Sequence, residues 1–352
     1  MHPLLEKYFS FIKKVVPSKK EEEGSSVGLD IGSSSCKLIE LAKAGDSYKL
    51  VNWAVEPVKS SNFTEAIQAI FGRLENSPKT IYTAVHGKGT LIRFIEMPRM
   101  SIDDLKNSFD IEADKYFPFS QDQIYTDCYI LDPQGKGKQM PVMAAAAKRE
   151  MVDDRLSLLT DCGIESDFIS IDQIALANVI HAADDVGEGK NSVVALLDIG
   201  EAVSSLMIVV DKFPRFARDI YIGGRDFTKR ISNALGIDSA EAEKLKFKPG
   251  KKAKEVANAC ESAVMNMVQE LRLSLDYFSA EHNISIKKLY LTGGASLMEG
   301  LSDFFESNLD VKTEQWDSLR SLNIDTKDLS DELKENAHRL GVALGLALYH
   351  HD

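Results

Sequence analysis

Two stretches of the chain share one thirteen-residue pattern, and this repeat constrains the fold more than any other feature. Residues 29–41 read Leu-Asp-Ile-Gly-Ser-Ser-Ser-Cys-Lys-Leu-Ile-Glu-Leu, and residues 197–209 read Leu-Asp-Ile-Gly-Glu-Ala-Val-Ser-Ser-Leu-Met-Ile-Val. In each stretch an apolar run enters a glycine turn and a second apolar run leaves it, which is typical of a β-hairpin. Because the two stretches align without a gap, the sequence predicts two related halves.

The two turns have the composition of anion-binding loops. Small residues let backbone N–H groups approach an anion closely, and Lys37 follows the first turn as a possible counter-charge. Asp30 and Asp198 end their strands, where a carboxylate would meet a phosphate only through a metal ion or its water. Two such turns facing each other predict a clamp for a polyphosphate and its Mg²⁺. The alternative is that each carboxylate caps its own turn.

Length and composition exclude several classes of protein. A chain of 352 residues predicts about two domains. The net charge of −12 argues against broad nucleic-acid binding and against an anionic membrane as the main partner. The four cysteines form no C-x-x-C pair and the seven histidines show no ligand spacing, so we expect reduced thiols and no structural zinc. No apolar run approaches the ~20 residues of a membrane span, and the N-terminus does not read as a signal peptide.

Residues 1–26 predict an amphipathic helix followed by a charged linker. The apolar residues of one helical stripe are Leu4, Leu5, Tyr8, Phe9, Ile12, Val15 and Val16. Pro17 ends this pattern. Such a helix would lie on a membrane surface or dock on a partner. The alternative is a mobile tail, or a helix folded onto its own protein.

Apolar periodicity predicts strands and helices along the rest of the chain. Before residue 99 we expect the first hairpin, strands at 48–57, 80–86 and 91–97, and a helix at 64–75. Helices at 101–116 and 150–162 and strands at 124–131, 140–148 and 167–171 then complete a β-α-β-β-α-β order, compact enough for a small layer of its own. After the second hairpin we expect strands at 215–222 and 288–292, a surface segment at 239–254, and helices at 255–281, 298–307 and 335–349.

Four motifs in this order resemble those of the actin/Hsp70/sugar-kinase superfamily. The first hairpin is similar to its phosphate-1 motif, the second to phosphate-2, and residues 289–301, with Thr-Gly-Gly-Ala-Ser after a strand, to its adenosine motif. Residues 223–228, Gly-Gly-Arg-Asp-Phe-Thr, resemble the segment that follows phosphate-2. The resemblance implies an α/β, actin/Hsp70-like ATPase fold of two lobes with ribonuclease-H-like cores.

Within that superfamily, the insertion after Pro98 lies where FtsA and PilM proteins carry an extra subdomain, 1C. Four segments are similar to the PilM family in particular, namely residues 27–41, 94–98, 112–119 and 270–278. The implied domains are an N-terminal segment at 1–26, lobe 1 at 27–98 with 171–192, subdomain 1C at 99–170, and lobe 2 at 193–352, of which subdomain 2B is about 226–285.

The PilM resemblance also implies a function. The family is the cytoplasmic, actin-like component of type IV pilus machines, peripheral to the inner membrane, and it binds ATP (or ADP) with Mg²⁺ between its lobes. It captures the N-terminal tail of the inner-membrane protein PilN beside the inserted subdomain, so that nucleotide binding would set the angle between the lobes and the state of that groove. Other pilus platform components and a second copy of the chain are further partners to expect. Hydrolysis of ATP would be weak or absent.

The resemblance assigns roles residue by residue. Asp30 and Asp198 would hold Mg²⁺ through waters, while Gln173 would position an attacking water and Glu201 would order the water shell of the metal. The residues expected to bind the nucleotide are Asp30, Gly32, Ser33, Ser34, Ser35, Lys37, Gly200, Ala202, Ser204, Gly223, Gly224, Glu270, Arg272, Gly293, Gly294, Ala295 and Met298. For the partner, periodicity predicts a surface near Arg93, Phe109, Ala113 and Phe117, where the insertion joins lobe 1.

Three other functions are weighed for this fold. An FtsA-like, membrane-tethered filament would carry an amphipathic helix after its last domain, whereas this chain stops at Asp352, so the N-terminal helix would have to replace it. A small-molecule kinase would need a carboxylate base in the cleft, and no acidic residue beyond the metal-binding pair is a candidate. A related type II secretion scaffold would need a transmembrane helix in the same chain.

Overall fold

A computed structural model describes residues 25–45, 47–74, 81–183, 192–322, 324 and 330–349. The predicted N-terminal helix lies outside these residues. The strands are β1 (Ser25–Ile31), β2 (Ser35–Ala44), β3 (Ser47–Pro57), β4 (Ile81–Val85), β5 (Thr90–Pro98), β6 (Ile124–Ile130), β7 (Gln139–Lys148), β8 (Phe168–Ile171), β9 (Val193–Ile199), β10 (Ser204–Val210), β11 (Phe213–Ile220), β12 (Lys288–Thr292) and β13 (Lys312–Gln315).

The helices are α1 (Phe63–Phe71), α2 (Ile102–Tyr116), α3 (Arg149–Asp161), α4 (Asp172–Ala182), α5 (Gly224–Leu235), α6 (Ser239–Phe247), α7 (Ala253–His282), α8 (Leu301–Leu309), α9 (Ser318–Ser321), α10 (Asp331–Asn336) and α11 (Gly341–Leu348). Across the described residues, no helix combines the length and apolarity needed to cross a bilayer. The described residues divide into two compact units, one within residues 1–31, 36–175 and 343–352, the other within residues 32–35 and 176–342.

The first unit contains a five-stranded sheet in the order β3-β2-β1-β4-β8. The repeat forms its hairpin here, since β1 and β2 pair antiparallel with Asp30 opposite Lys37. Strands β1, β4 and β8 run parallel, so their carboxyl ends lie at one edge. Strand β1 is buried along almost its whole length, which explains its unbroken apolar run. Its side chains pack against α1 and against Leu159 of α3.

Helix α11 packs closely on this sheet through glycines. A Cβ on Gly28 would overlap the carbonyl of Ala343, and one on Gly345 would overlap the carbonyl of Ala175. The close approach of helix and sheet therefore requires glycine at positions 28 and 345. Helix and strand are also joined by the Ser26 hydroxyl, which donates to the Ala347 carbonyl at 2.6 Å.

A second, three-stranded sheet in the first unit has the order β5-β7-β6. Strand β5 pairs with β7 along its whole length, from Thr90 to Pro98, whereas β8 joins the five-stranded sheet. The predicted β-α-β-β-α-β order is present, but the sheet formed by the insertion is β5, β6 and β7. Its extent differs from the predicted boundaries of 99–170 because backbone pairing places β5 inside the sheet and β8 outside it.

The second unit repeats the first sheet as β11-β10-β9-β12-β13. Its hairpin has the same register, with Asp198 opposite Ser205. Strands β9, β12 and β13 are parallel, and their core packs on α5 and α7. The long helix predicted at 255–281 is α7.

The predicted final helix at 335–349 is wrong as one element. The structure has α10, then a 3₁₀ turn at Ala337–Arg339, then α11. The break follows from the carbonyl of His338, which accepts hydrogen bonds from Gly293 N at 2.7 Å and from the Thr292 hydroxyl at 3.0 Å. A carbonyl directed at the end of β12 cannot also continue a helical ladder.

Candidate functional site

The first glycine turn presents serine hydroxyls to solvent. Gly32 N donates to the Ser35 carbonyl at 3.1 Å and closes the turn between β1 and β2. The side chains of Ser33 and Ser34 are exposed, while Ser35 is buried. Exposed hydroxyls on a tight turn are suited to hydrogen bonding an anion. The structure thus leaves Ser33 and Ser34 in a position compatible with their predicted role.

Lys37 and Asp30 form an ion pair across this hairpin. The Lys37 Nζ atom lies 2.9 Å from Asp30 Oδ2, and both side chains are largely buried. The two groups predicted to serve a phosphate and a metal ion therefore neutralise each other in this structure. Binding of a ligand by either group would require that pair to be shared or opened.

Three charged side chains that the sequence analysis did not identify lie around the end of this sheet. His86 follows β4 and Asp172 follows β8, and His86 Nδ1 is 3.1 Å from Asp172 Oδ2. Arg155 of α3 donates from Nη2 to the Ile31 carbonyl at 3.3 Å. Polar residues directly after parallel strands meet at one sheet edge, a pattern that identifies His86 and Asp172. No sequence pattern singles out Arg155.

Burial and neighbouring charges shift the pKa values of these groups in different directions. The Asp172 carboxylate raises the pKa of His86, against the opposing effect of burial. Burial lowers the pKa of the Arg155 guanidinium, and nearby Asp172 and Asp30 act in the opposite direction. Burial raises the pKa of the Cys36 thiol to about 12, so this cysteine stays protonated. Gln173, predicted to position a water, is buried beside Asp172 at the start of α4.

The second glycine turn is covered by the start of a helix. Gly200 N donates to the Val203 carbonyl at 3.2 Å and closes the turn. The first two N–H groups of α5 donate to carbonyls of this turn. Gly224 N donates to Gly200 O and Arg225 N donates to Glu201 O, both at 2.9 Å. A Cβ on Gly223 would lie 2.6 Å from the Glu201 carbonyl oxygen, so only glycine fits there. The structure therefore brings together the predicted residues Gly200, Glu201, Gly223 and Gly224.

A buried lysine lies behind this second turn. Lys246 is 1% exposed, and its Nζ atom is 2.7 Å from Glu243 Oε2, 2.9 Å from the Thr228 hydroxyl and 3.2 Å from the Gly224 carbonyl. The prediction of a surface segment at 239–254 is thus wrong for Lys246. Many of its neighbours in the sequence are charged, so no local pattern indicates that helix α6 directs Lys246 into the interior.

Glu201 is directed toward this lysine. Its Oε2 atom and Lys246 Nζ both lie 3.1 Å from the point that a Cβ on Gly224 would occupy. Burial raises the pKa of Glu201, and Lys246 counters that effect. A carboxylate held this way has its charge partly compensated within the unit.

The adenosine-type motif lies beside Asp198. Strand β12 ends at Thr292, paired with Asp198 in register. Gly293 follows with φ +86°, and a Cβ there would overlap Asp198 Oδ1 and lie 2.6 Å from Ile199 N. Ala295 and Met298 are buried in the core of this unit. The structure thus places Gly293 next to the predicted metal-binding aspartate.

Three predicted ligands are occupied by partners within the second unit. The Ser204 hydroxyl is fully buried and donates to the Ile222 carbonyl at 2.7 Å, so it connects the turn to the segment before α5. Glu270 accepts from Arg218 at 2.6 Å. Arg272 donates to the Asn308 carbonyl. The contacts of Glu270 and Arg272 do not involve the glycine turns.

The predicted partner surface needs correction. Phe109, Ala113 and Phe117 are at most 3% exposed and form the core between α2 and the sheet β5-β7-β6. Their helical spacing reflects packing of α2 on its own sheet. Arg93 on β5 is exposed, at an edge of that sheet.

The donor set bears on the predicted metal. Within the described ranges, no group of three or more histidine, cysteine, aspartate or glutamate side chains is arranged to hold a metal ion. Mg²⁺ keeps several waters and takes further oxygens from phosphates, so one or two carboxylates suffice. The absence of a three-residue cluster among the described residues is therefore compatible with the predicted roles of Asp30 and of Asp198, which stay predictions.

Comparisons with known proteins bear on the family and the fold of the chain. The family model described as type IV pilus assembly protein PilM matches residues 28–351. A chain of a PilM–PilN type IV pilus biogenesis complex is similar at 27% identity and a TM-score of 0.81, over 93% of this chain and 98% of that one.

Two more distant structures share the fold alone. The ethanolamine utilization protein EutJ from Carboxydothermus hydrogenoformans is 13% identical with a TM-score of 0.53, over 98% of this chain and 96% of its own. MreB 5 of Spiroplasma citri bound to AMPPNP is 13% identical with a TM-score of 0.50, over 90% and 98%. The expected actin-like α/β fold is confirmed.

Proposed function

Because the chain belongs to the family of the type IV pilus assembly protein PilM, we propose that it is an actin-like scaffold of a type IV pilus assembly platform. In this proposal it binds ATP (or ADP) with Mg²⁺ and the N-terminal tail of a PilN-like protein, and is peripheral to the inner membrane. The observation that supports it best is the similarity to a chain of the PilM–PilN complex, which extends over nearly the whole length of both chains.

The residues of the two turns support the nucleotide part of the proposal. Ser33 and Ser34 offer exposed hydroxyls, Lys37 offers a cation that Asp30 now holds, and Gly293 brings a side-chain-free backbone beside Asp198. Bound nucleotide would supply the phosphate oxygens that complete a magnesium shell. The role of the chain is to bind and orient, and we propose no hydrolytic step.

The partner part of the proposal concerns the insertion. Of the four predicted contact residues only Arg93 has an exposed side chain, on the edge strand β5. An edge strand can pair with an extended peptide, and its exposed side chains then select the sequence. We therefore propose that the PilN-like tail contacts this part of the insertion.

Calorimetric titration tests both parts. We expect ATP with Mg²⁺ to bind the unmodified protein, and Ser34→Glu to weaken binding by more than about tenfold because a carboxylate would repel the phosphates. Ser262→Glu, at an exposed position of α7, is the matched control and should bind as the parent does.

A synthetic PilN-like N-terminal peptide, with a scrambled peptide as control, is titrated with and without nucleotide. Tail binding that changes with ATP supports a nucleotide-dependent scaffold. Tail binding without any nucleotide binding would make the protein a passive adaptor, and absence of both would contradict the proposed function.

A further inference from the structure

Arg155 joins a distant helix to the first glycine turn. Its Nη2 atom donates to the carbonyl of Ile31, the residue directly before Gly32, although the two residues are 124 positions apart. The hydrogen bond fixes the end of β1 from outside the hairpin.

The other half of the guanidinium is unusual. Arg155 Nη1 is shielded from solvent and donates to no described protein atom. A buried charged donor without a partner costs more free energy than a buried neutral donor without one. If the only role of residue 155 were packing, an apolar side chain would fill the position at lower cost. The position retains a positive charge near Asp30 and Asp172, whose carboxylates both favour it.

The ion pair between Lys37 and Asp30 indicates a role for the positive charge of Arg155. In the structure Lys37 compensates Asp30 at 2.9 Å, and both are largely buried. If Lys37 turns toward a phosphate, Asp30 is left as a buried carboxylate, which is strongly unfavourable until the proposed Mg²⁺ or a second basic side chain compensates its charge. Arg155 and Asp30 interact electrostatically, so the charge of Arg155 would take over part of that compensation.

We propose that Arg155 is a positioning residue for nucleotide binding, which anchors the first turn through the Ile31 carbonyl and supplies the positive charge that allows Lys37 to leave Asp30. This inference rests on the proposed function, since it concerns the same phosphate-binding turn. It adds a residue from α3 that makes no contact with the ligand itself.

The first test needs no nucleotide. Hydrogen exchange of the amides of residues 30–38 is compared between the parent and Arg155→Met, and we expect faster exchange in the variant because the anchor at Ile31 is lost. Arg73→Met, which removes an exposed arginine paired with Glu56 in the same unit, is the control and should leave these amides unchanged. Unchanged exchange in Arg155→Met would overturn the anchoring role.

The second test is a double-mutant cycle on ATP affinity by calorimetry. Arg155→Met should weaken binding about tenfold or more in the parent, but less than about threefold in a Lys37→Met background, because no lysine then needs to be released. Arg155→Gln, which keeps a donor but not the charge, should lie between and replaces the methionine variant if that variant does not fold. Equal effects in both backgrounds would indicate a merely structural arginine and overturn the inference, whereas absence of ATP binding by the parent would contradict the proposed function.

Discussion

The two glycine turns come from one repeated sequence, yet they are built with different chemistry. In the first, the residue opposite the strand-end aspartate is Lys37, which pairs with Asp30 inside the hairpin. In the second, the equivalent position is Ser205, whose hydroxyl donates to Asp219 at 2.8 Å. There the cation is Lys246, which is contributed by the separate helix α6 and is buried behind the turn. The repeat therefore fixes backbone register, while the charges arise separately in each half.

The largest effect is expected at the glycine beside the second aspartate. Gly293→Ala should lower the free energy of unfolding by about 3 kcal/mol or more, because alanine is strained at φ +86° and its Cβ would overlap Asp198. Gly294→Ala is the matched control, since the nearest atom to its Cβ would be Arg339 Nε at 3.4 Å. Urea unfolding of both variants measures the difference, and equal stabilities would contradict the description of this turn.

A smaller loss is expected from removing the buried cation of the second turn. Lys246→Met should destabilise the protein by roughly 2 kcal/mol, because the Gly224 carbonyl and the Thr228 hydroxyl lose a charged donor while Glu243 retains partial access to water. Lys244→Met, an exposed lysine on the same helix, should change stability by less than about 0.5 kcal/mol. If the two variants unfold at the same urea concentration, Lys246 does not support the turn.

How far the sequence predicts this site follows from the same contrast. The ungapped repeat predicts both hairpins and their register, because a short turn of the same length connects the two strands in each half. The resemblance to the superfamily identifies Gly293 and Gly223, because each belongs to a short motif that is contiguous in the sequence. Arg155 and Lys246 were missed because each reaches its turn from a separate helix.

The predicted partner residues show an error of another kind, in which a local pattern was recognised but assigned to a surface. The apolar spacing of Phe109, Ala113 and Phe117 was interpreted as a surface, but it records packing of α2 on a sheet whose third strand, β5, was assigned to lobe 1. Helical periodicity identifies an apolar face without saying what covers it. Only pairing of the strands, which is non-local, decides that.

The first unit should show a pH dependence through His86. Asp172 raises the pKa of His86, so its contribution to stability is fully present below the unfolded value of ~6.5 and is lost as pH rises through the raised folded value. Asp172→Asn should therefore lose more stability, relative to the parent, at pH 5.5 than at pH 8.5. Asp154→Asn, at an exposed position of α3, should show the same difference from the parent at both pH values. An equal loss at both pH values for Asp172→Asn would mean that the ion pair with His86 does not form.

The smallest effect is expected on the long helix, where the resemblance to nucleotide-binding proteins and the structure suggest different roles. Arg272 is exposed and donates to the Asn308 carbonyl, so Arg272→Met should cost less than about 1 kcal/mol in unfolding free energy. Because the Arg272 guanidinium already donates to that carbonyl, we expect Arg272→Met to change the ATP dissociation constant from calorimetry less than about twofold. Glu270→Gln, which weakens the pair with Arg218, serves as the comparison on the same helix. A tenfold loss of ATP affinity with unchanged stability would instead show that Arg272 leaves Asn308 to contact the nucleotide, and would restore to the second half a cation that binds ligand as Lys37 is proposed to do in the first.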